Sequence, residues 1–231
     1  VAVIATGSEL VPPSEVPGPG KIRNSNSYAM AACAREAGAE AVMLPIVQDT
    51  FEALRDAVAA AAREYDLVVT TGGAANGDFD FIKPVVAELG ELMMTTVNIR
   101  PGKAQTFGMV EGTPVFGLPG NPAAAYVGFQ LLIRPALRTM QGYRFMDHPV
   151  VKARLTADEK NRDPRRIYLR ANLTRTAEGY EVTPAKNQSS GLFGPIQKTN
   201  CLAVMPEGTA PQPAGSIVDC LLLDIPEEVV L

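Results

Sequence analysis

The run Leu67-Val68-Val69-Thr70 constrains this chain more than any other stretch of it. Four apolar or β-branched residues without polar alternation suit a strand covered on both faces, as in the middle of a parallel sheet. The run passes directly into Thr71-Gly72-Gly73, with a further glycine at Gly77. Parallel strands need crossovers, so helical patterns should lie on either side. Residues 1–5 read as a first apolar strand and 41–47 as another, and between them Ser25-Asn26-Ser27 can cap a helix running to Arg35. Phe51, Leu54, Val58 and Ala61 or Ala62 recur at helical spacing after a cap at Asp49 or Thr50. A helix over 80–89 turns Phe81, Val85, Val86 and Leu89 inward, and strands are expected over 93–99, 105–110 and 114–118. A long apolar helix follows Pro122 to about Met140, with Pro135 as a kink or break. This alternation predicts an α/β fold, a three-layer α/β/α sandwich with a mostly parallel sheet, over residues 1–145.

From residue 146 to 231 helical periodicity fades. Short alternating strands are expected at 150–155, 166–173, 180–184, 201–205 and 217–223, with Leu155, Leu169, Leu173, Tyr180 and Val182 on inward faces. They make a small antiparallel β-rich domain. The charged hairpin 158–166 reads as a solvated loop and His148 as a linker residue. Hydrophobic residues at 46% and charged ones at 20% place the chain among globular proteins. A formal charge of −4 argues against nucleic-acid or acidic-membrane partners. No apolar run reaches the roughly 18 residues of a membrane span. Cys33, Cys201 and Cys220 lack metal-ligand spacing, which suggests a reducing, cytoplasmic compartment, with Cys33 as a small buried hydrophobe. The chain opens on a strand without an initiator methionine, so a C-terminal piece of a longer protein is expected.

Three loops each follow a strand: Thr6-Gly7-Ser8-Glu9, Gly72-Gly73 with Gly77-Asp78-Phe79-Asp80, and Gly117-Leu118-Pro119-Gly120-Asn121-Pro122. On a parallel sheet they emerge at one edge. Glycines let the backbone approach a ligand, and bare amides can surround an anion. Neither the dinucleotide fingerprint nor the Walker spacing is present, and each loop could serve only as a tight turn. Asp78 and Asp80 could hold Mg2+ through oxygen, orient a nucleophile, or cap a helix. Asn121 could cap a helix or hydrogen-bond a heterocycle or phosphate, and Pro122 suits the first helical position. Arg100-Pro101-Gly102-Lys103 offers two cations or a plain exposed turn, and Asn187-Gln188-Ser189-Ser190-Gly191 is a polar loop.

In the order of these motifs, together with Ile22-Arg23-Asn24-Ser25-Asn26 and Leu202-Ala203-Val204-Met205-Pro206-Glu207-Gly208, the chain resembles the C-terminal half of the molybdopterin molybdenumtransferases. The resemblance implies a molybdopterin-binding domain over 1–145 and a small β-barrel domain over 146–231. It also implies further N-terminal domains and an elongated homodimer. The implied activity is insertion of molybdate into adenylylated molybdopterin (molybdopterin-AMP), releasing AMP and forming molybdenum cofactor with Mg2+ assisting. Catalytic roles fall on Asp78, Asp80, Arg100, Lys103 and Ser190, with Asp78 as the metal ligand. Pterin-nucleotide binding falls on Thr6, Gly7, Glu9, Asn24, Ser25, Gly72, Gly73, Gly77, Gly117, Gly120, Asn121 and Pro122. A molybdopterin adenylyltransferase or a molybdoenzyme would be a protein partner. The sequence departs from the family pattern at Asn24, where aspartate is common, and at Ala75, Asn76 and Ala104, where serine, a small apolar residue and proline are frequent. Two other readings stand beside this one: an ATP-using molybdopterin adenylyltransferase, whose family shares the first domain, and a non-catalytic molybdopterin-binding or scaffold module. The β-domain favours the molybdate-inserting branch.

Overall fold

The computed structural model describes residues 1–72, 81–161, 163–223 and 225. The chain divides into two compact units, Val1–Val97 with Gly102–Gln141, and Asn98–Pro101 with Gly142–Leu231. In chain order the elements begin with β1 (Ala2–Ala5), β2 (Leu10–Val11), β3 (Ile22–Arg23), α1 (Asn26–Glu36), β4 (Val42–Met43) and α2 (Phe51–Glu64). Next come β5 (Val68–Thr71), α3 (Ile82–Leu89), β6 (Gly90–Thr96), β7 (Ile99–Arg100), β8 (Ala104–Val110) and β9 (Thr113–Leu118). A helical run then comprises α4 (Pro122–Gly128), a π-helical turn (Phe129–Ile133) and α5 (Arg134–Met140).

The first unit's main sheet has the order β4-β1-β5-β9-β8-β6. Its first four strands are mutually parallel, whereas β8 runs antiparallel to β9 and β6 antiparallel to β8. The sheet is therefore mixed. The reversal has a local cause: Glu111 (φ 50°) and Gly112 (φ 84°) form the two-residue turn between Val110 and Thr113. Two consecutive positive φ values are the signature of a tight hairpin turn. On one face Leu54, Val58, Val85 and Val86 of α2 and α3 pack on Ile4, Val68 and Val115. The helices α1 and α4 pack together with β1 and β9.

Helix starts refine the sequence reading. Thr50 caps α2, its hydroxyl accepting from the Ala53 amide at 3.3 Å. The cap on α1 comes from Asn24, whose Oδ1 accepts from the Ser27 amide at 3.2 Å, and not from the Ser25-Asn26-Ser27 side chains. Pro135 does not end the helical run. The π-helical turn lies immediately before α5, which carries Pro135 in its first turn, and that widened turn makes room for a ring that would otherwise crowd the preceding turn.

In the second unit β10 (Val150–Leu155), β11 (Arg166–Thr176), β12 (Gly179–Pro184), β13 (Cys201–Met205) and β14 (Ile217–Leu222) run in the order β12-β10-β14-β13-β11. The pairing of β11 back onto β12 closes a five-stranded barrel. Alternate residues fill it, among them Leu155, Leu169, Val182, Ala203, Val218 and Leu222. One strand expected over 93–99 is in fact two. Val97 donates to the Lys103 carbonyl at 2.9 Å, and within the loop so closed Ile99 and Arg100 pair in parallel with Arg166 and Ile167. Nor is the 158–166 hairpin simply solvated: Asn161 and Asp163 are buried. Asn161 Nδ2 donates to the Gly208 carbonyl, and Asp163 accepts from Arg165. His148 is buried as well. All three cysteines are free and buried, and burial pushes the Cys33 thiol up to about 12. Among the described residues no helix is long and apolar enough to cross a membrane.

Candidate anion-binding site

Register puts three strand tips side by side. Ala5 pairs with Thr71, and Thr71 with Leu118, all in parallel, so the loops after β1, β5 and β9 leave one edge of the sheet. The tips then touch through backbone. Gly72 has φ +94°, and a Cβ there would lie 2.2 Å from the Thr6 carbonyl oxygen. A Cβ at Gly120 would lie 3.7 Å from the Gly72 Cα. The Glu9 carboxylate folds over Gly7, its oxygens 2.7 and 2.8 Å from where a Cβ would be. Thr6, buried, turns its hydroxyl to Asp49 Oδ1 at 3.3 Å. Side chains are thus absent where the peptide backbone of these loops comes together. The Thr6 and Gly72 amides are themselves spent on the Thr71 and Leu118 carbonyls, at 3.0 and 3.2 Å, so donors for a negatively charged guest would come from the loop amides that follow them.

The residues around this edge differ in what they leave free. Asn24 is buried and spends both amide atoms on Ser27, with Nδ2 donating to Oγ at 3.0 Å. Ser25 is exposed beside it. Asn26, which sequence reasoning did not single out, donates from Nδ2 to the Gly120 carbonyl at 2.9 Å, and its buried Oδ1 has no partner. Asn121 is exposed and makes no side-chain cap, while Pro122 occupies the first turn of α4. Gly117 serves packing: a Cβ there would lie 2.9 Å from Ile82 Cγ1 and 3.1 Å from Thr106 Cβ. Gly73, Gly77, Asp78 and Asp80 lie outside the described residues, and among the described residues no group of three potential ligands could hold a metal.

The cationic turn divides between the units. Lys103 is exposed and forms no ion pair among the described residues. Arg100, in contrast, belongs to the second unit and reaches Asp163 Oδ2 at 3.3 Å. The bonds from the Arg165 guanidinium, and the charge of Arg100 beside them, hold the Asp163 carboxyl well below the usual carboxylate range. Arg165 Nη1 also donates to the Ile99 carbonyl, so this cluster fastens β7 to the barrel.

The barrel carries a residue the sequence did not announce. Arg170 is 1% exposed, and its Nε and Nη1 are buried with no hydrogen-bond partner among the described residues. Burial lowers its pKa. A guanidinium taken from water without a carboxylate opposite it is an energetic debt that an anion would cancel. The Ser190 loop is fastened to the same strand position. Gln188 Nε2 donates to the Arg170 carbonyl at 2.8 Å and Gln188 Oε1 accepts from its amide at 3.2 Å. Ser190 follows two residues later and is partly exposed. Alternation along β11 could have flagged Arg170 as facing away from the barrel interior, but nothing in the sequence marks that outer position as covered.

Comparison with known proteins agrees with this architecture. Residues 2–139 match the family described as "Probable molybdopterin binding domain", and residues 152–223 match "MoeA C-terminal region (domain IV)". The chain therefore carries an α/β domain of the first of these families followed by a barrel of the second. The molybdopterin molybdenumtransferases of Staphylococcus epidermidis (strain ATCC 35984) and Staphylococcus aureus (strain COL) are each 37% identical, over 235 and 234 residues. In both cases the match takes in 100% of this chain and 56% of the relative. A crystal structure of the molybdopterin biosynthesis moeA protein from Pyrococcus horikoshii superposes with a TM-score of 0.83 at 31% identity, covering 96% of this chain and 54% of that one. The chain belongs to the molybdopterin molybdenumtransferase family, and it spans about half the length of the curated relatives it matches.

Proposed function

We propose that the protein inserts molybdate into adenylylated molybdopterin, releasing AMP and forming molybdenum cofactor. The observation that carries this reading is the backbone-to-backbone meeting of Thr6, Gly72 and Gly120 at one sheet edge, in a chain of this family. In this reading the loop amides that follow the three tips and the Lys103 ammonium hold the phosphates of the pterin nucleotide. Asn26, with one amide atom committed to Gly120 and the other free, offers an acceptor to the guest. In the second unit Arg170 and Ser190 offer a guanidinium and a hydroxyl as donors to an oxyanion. Arg100, engaged by Asp163, holds β7 in place. Asp78 orients the oxygen, of water or of molybdate, that attacks the phosphoanhydride, and it is the residue that would hold Mg2+. The bond between the two phosphates breaks and AMP leaves.

The test is chromatographic detection of AMP after full-length protein meets molybdopterin-AMP with and without molybdate. Molybdate-dependent AMP release without consumption of ATP is expected. ATP consumption with pyrophosphate release would identify an adenylyltransferase, and no saturable binding of the nucleotide would identify a scaffold. We also propose a homodimer in a cytoplasmic setting, on the strength of the family and of three unoxidised thiols. Sedimentation of full-length protein at twice the monomer mass is the expected result.

A further inference from the structure

Gln105 lies at 0% exposure in β8, and its side chain is placed unlike that of a core residue. Nε2 donates to the Gly102 carbonyl at 3.0 Å, while Oε1 is buried with no partner among the described residues. Two glycines make room for the amide. A Cβ on Gly102 (φ +95°) would lie 2.7 Å from Gln105 Nε2 and 3.2 Å from the Ala124 carbonyl oxygen. A Cβ on Gly128 would lie 2.6 Å from both Nε2 and Oε1. The amide is therefore enclosed between the loop bearing Lys103 and the last residue of α4, and Gly102 rests on the first turn of that helix. The start of α4 follows Gly120 directly in sequence, and Asn26 fastens Gly120 in turn.

A buried acceptor without a donor weakens a fold, so stability alone does not account for an amide here. An apolar residue of the same length would fill the space without that penalty. What the amide contributes is one directed bond to the loop one residue before Lys103. We infer that Gln105 is a positioning residue: it holds the Gly102-Lys103 loop against α4, so that the lysine stands at a set place relative to the Gly120 tip. This rests on the reading of Lys103 as a phosphate-binding group.

The test uses full-length protein and four forms: wild type, Gln105→Met, Lys103→Ala and the double variant. Readouts are kcat and KM for molybdopterin-AMP, Kd for AMP by calorimetry, and the melting temperature. Gln105→Met should melt no lower than wild type, because an orphaned acceptor is removed and the volume kept. Its KM and its Kd for AMP should each rise about three- to tenfold, the factor that losing one hydrogen bond carries, with kcat within twofold. In the Lys103→Ala background the same substitution should change KM by less than twofold, since the group it positions is gone. An unchanged KM in Gln105→Met, beside a raised KM in Lys103→Ala, overturns the positioning role alone. Equal effects of Gln105→Met in both backgrounds overturn it too, as general loosening. An unchanged KM in Lys103→Ala overturns the phosphate-binding reading and this inference with it.

Discussion

Replacing Arg170 by methionine should stabilise the protein in anion-free buffer and abolish its response to molybdate. Two guanidinium nitrogens, Nε and Nη1, are buried without partners. Each unsatisfied buried donor costs about 1–3 kcal/mol. Methionine keeps the aliphatic stem and discards the charge, and the gap left by the lost guanidinium takes back part of the gain. A net stabilisation of about 1–3 kcal/mol is expected, in line with other removals of buried charge. At roughly 3 °C per kcal/mol for a chain of this size, the melting temperature should rise by about 3–9 °C. Ligand acts in the opposite sense. An oxyanion at a hundred times its Kd stabilises the form that binds it by about 2.7 kcal/mol. Wild type should therefore gain several degrees from molybdate or sulfate, and Arg170→Met should gain none, so the two melting curves approach each other or cross as anion is added. Arg170→Lys keeps the charge without the fork and should respond only weakly. The assay is calorimetric melting in chloride buffer with stepped additions of molybdate. A variant that melts lower than wild type without anion, or that gains as much from molybdate, would refute the reasoning.

Gly72→Ala should lower stability by about 2–4 kcal/mol, because a methyl 2.2 Å from the Thr6 carbonyl must push two strand tips apart at a positive φ. Thermal melting together with AMP titration checks it, with binding lost even where the fold survives. Asp163 holds both Arg165 and the β7 residue Arg100, and its carboxyl stays charged in the fold at pH values where the unfolded chain, near 3.9, takes up a proton. Its stabilisation is therefore present above about pH 4 and lost as pH falls below that, and melting of Asp163→Asn should be flatter across that window than wild type. Asp78→Ala in full-length protein should retain nucleotide binding while molybdate-dependent AMP release falls about a hundredfold or more, read by single-turnover chromatography.

Much of the scaffold can be read from residue pattern. The bare apolar run before Gly72, the helical spacing of Phe51 to Ala62 and the alternation after residue 150 each depend on period and composition, which side chains display directly. The shared edge of the three glycine loops follows from the same reasoning, since parallel strands end on one side. Two kinds of feature escape it. Ile99 and Arg100 are too few to announce which sheet they join, and only their bonds to Arg166 and Ile167 assign them to the barrel. Buried polar residues are the other kind. Asn161, Asp163, Gln105 and Arg170 carry polar or charged groups whose default is solvent, and their burial is decided by distant chain segments. Gly117 marks the converse error: a glycine beside binding loops that makes space for Ile82 and has no room left for a ligand.

The two units prepare for anions by opposite physical means. At the strand tips the proposed donors are neutral loop amides just beyond the sheet's own hydrogen bonds, and removing them from water carries no charge penalty. Their attraction for a guest is correspondingly moderate, and at Gly72 the missing Cβ makes room for the Thr6 carbonyl oxygen rather than for the guest. In the second unit the Arg170 guanidinium is withdrawn from water, with Nε and Nη1 unpartnered among the described residues, and a charge so placed favours an opposite charge beside it. In the proposed reaction those properties match the two anions. A pterin nucleotide presents many groups and can be held by several moderate contacts, whereas a small dianion presents only oxygens and must be captured by one strong one. A lysine could not replace Arg170 in that task, because a compact ammonium cannot present two parallel donors to a pair of oxygens.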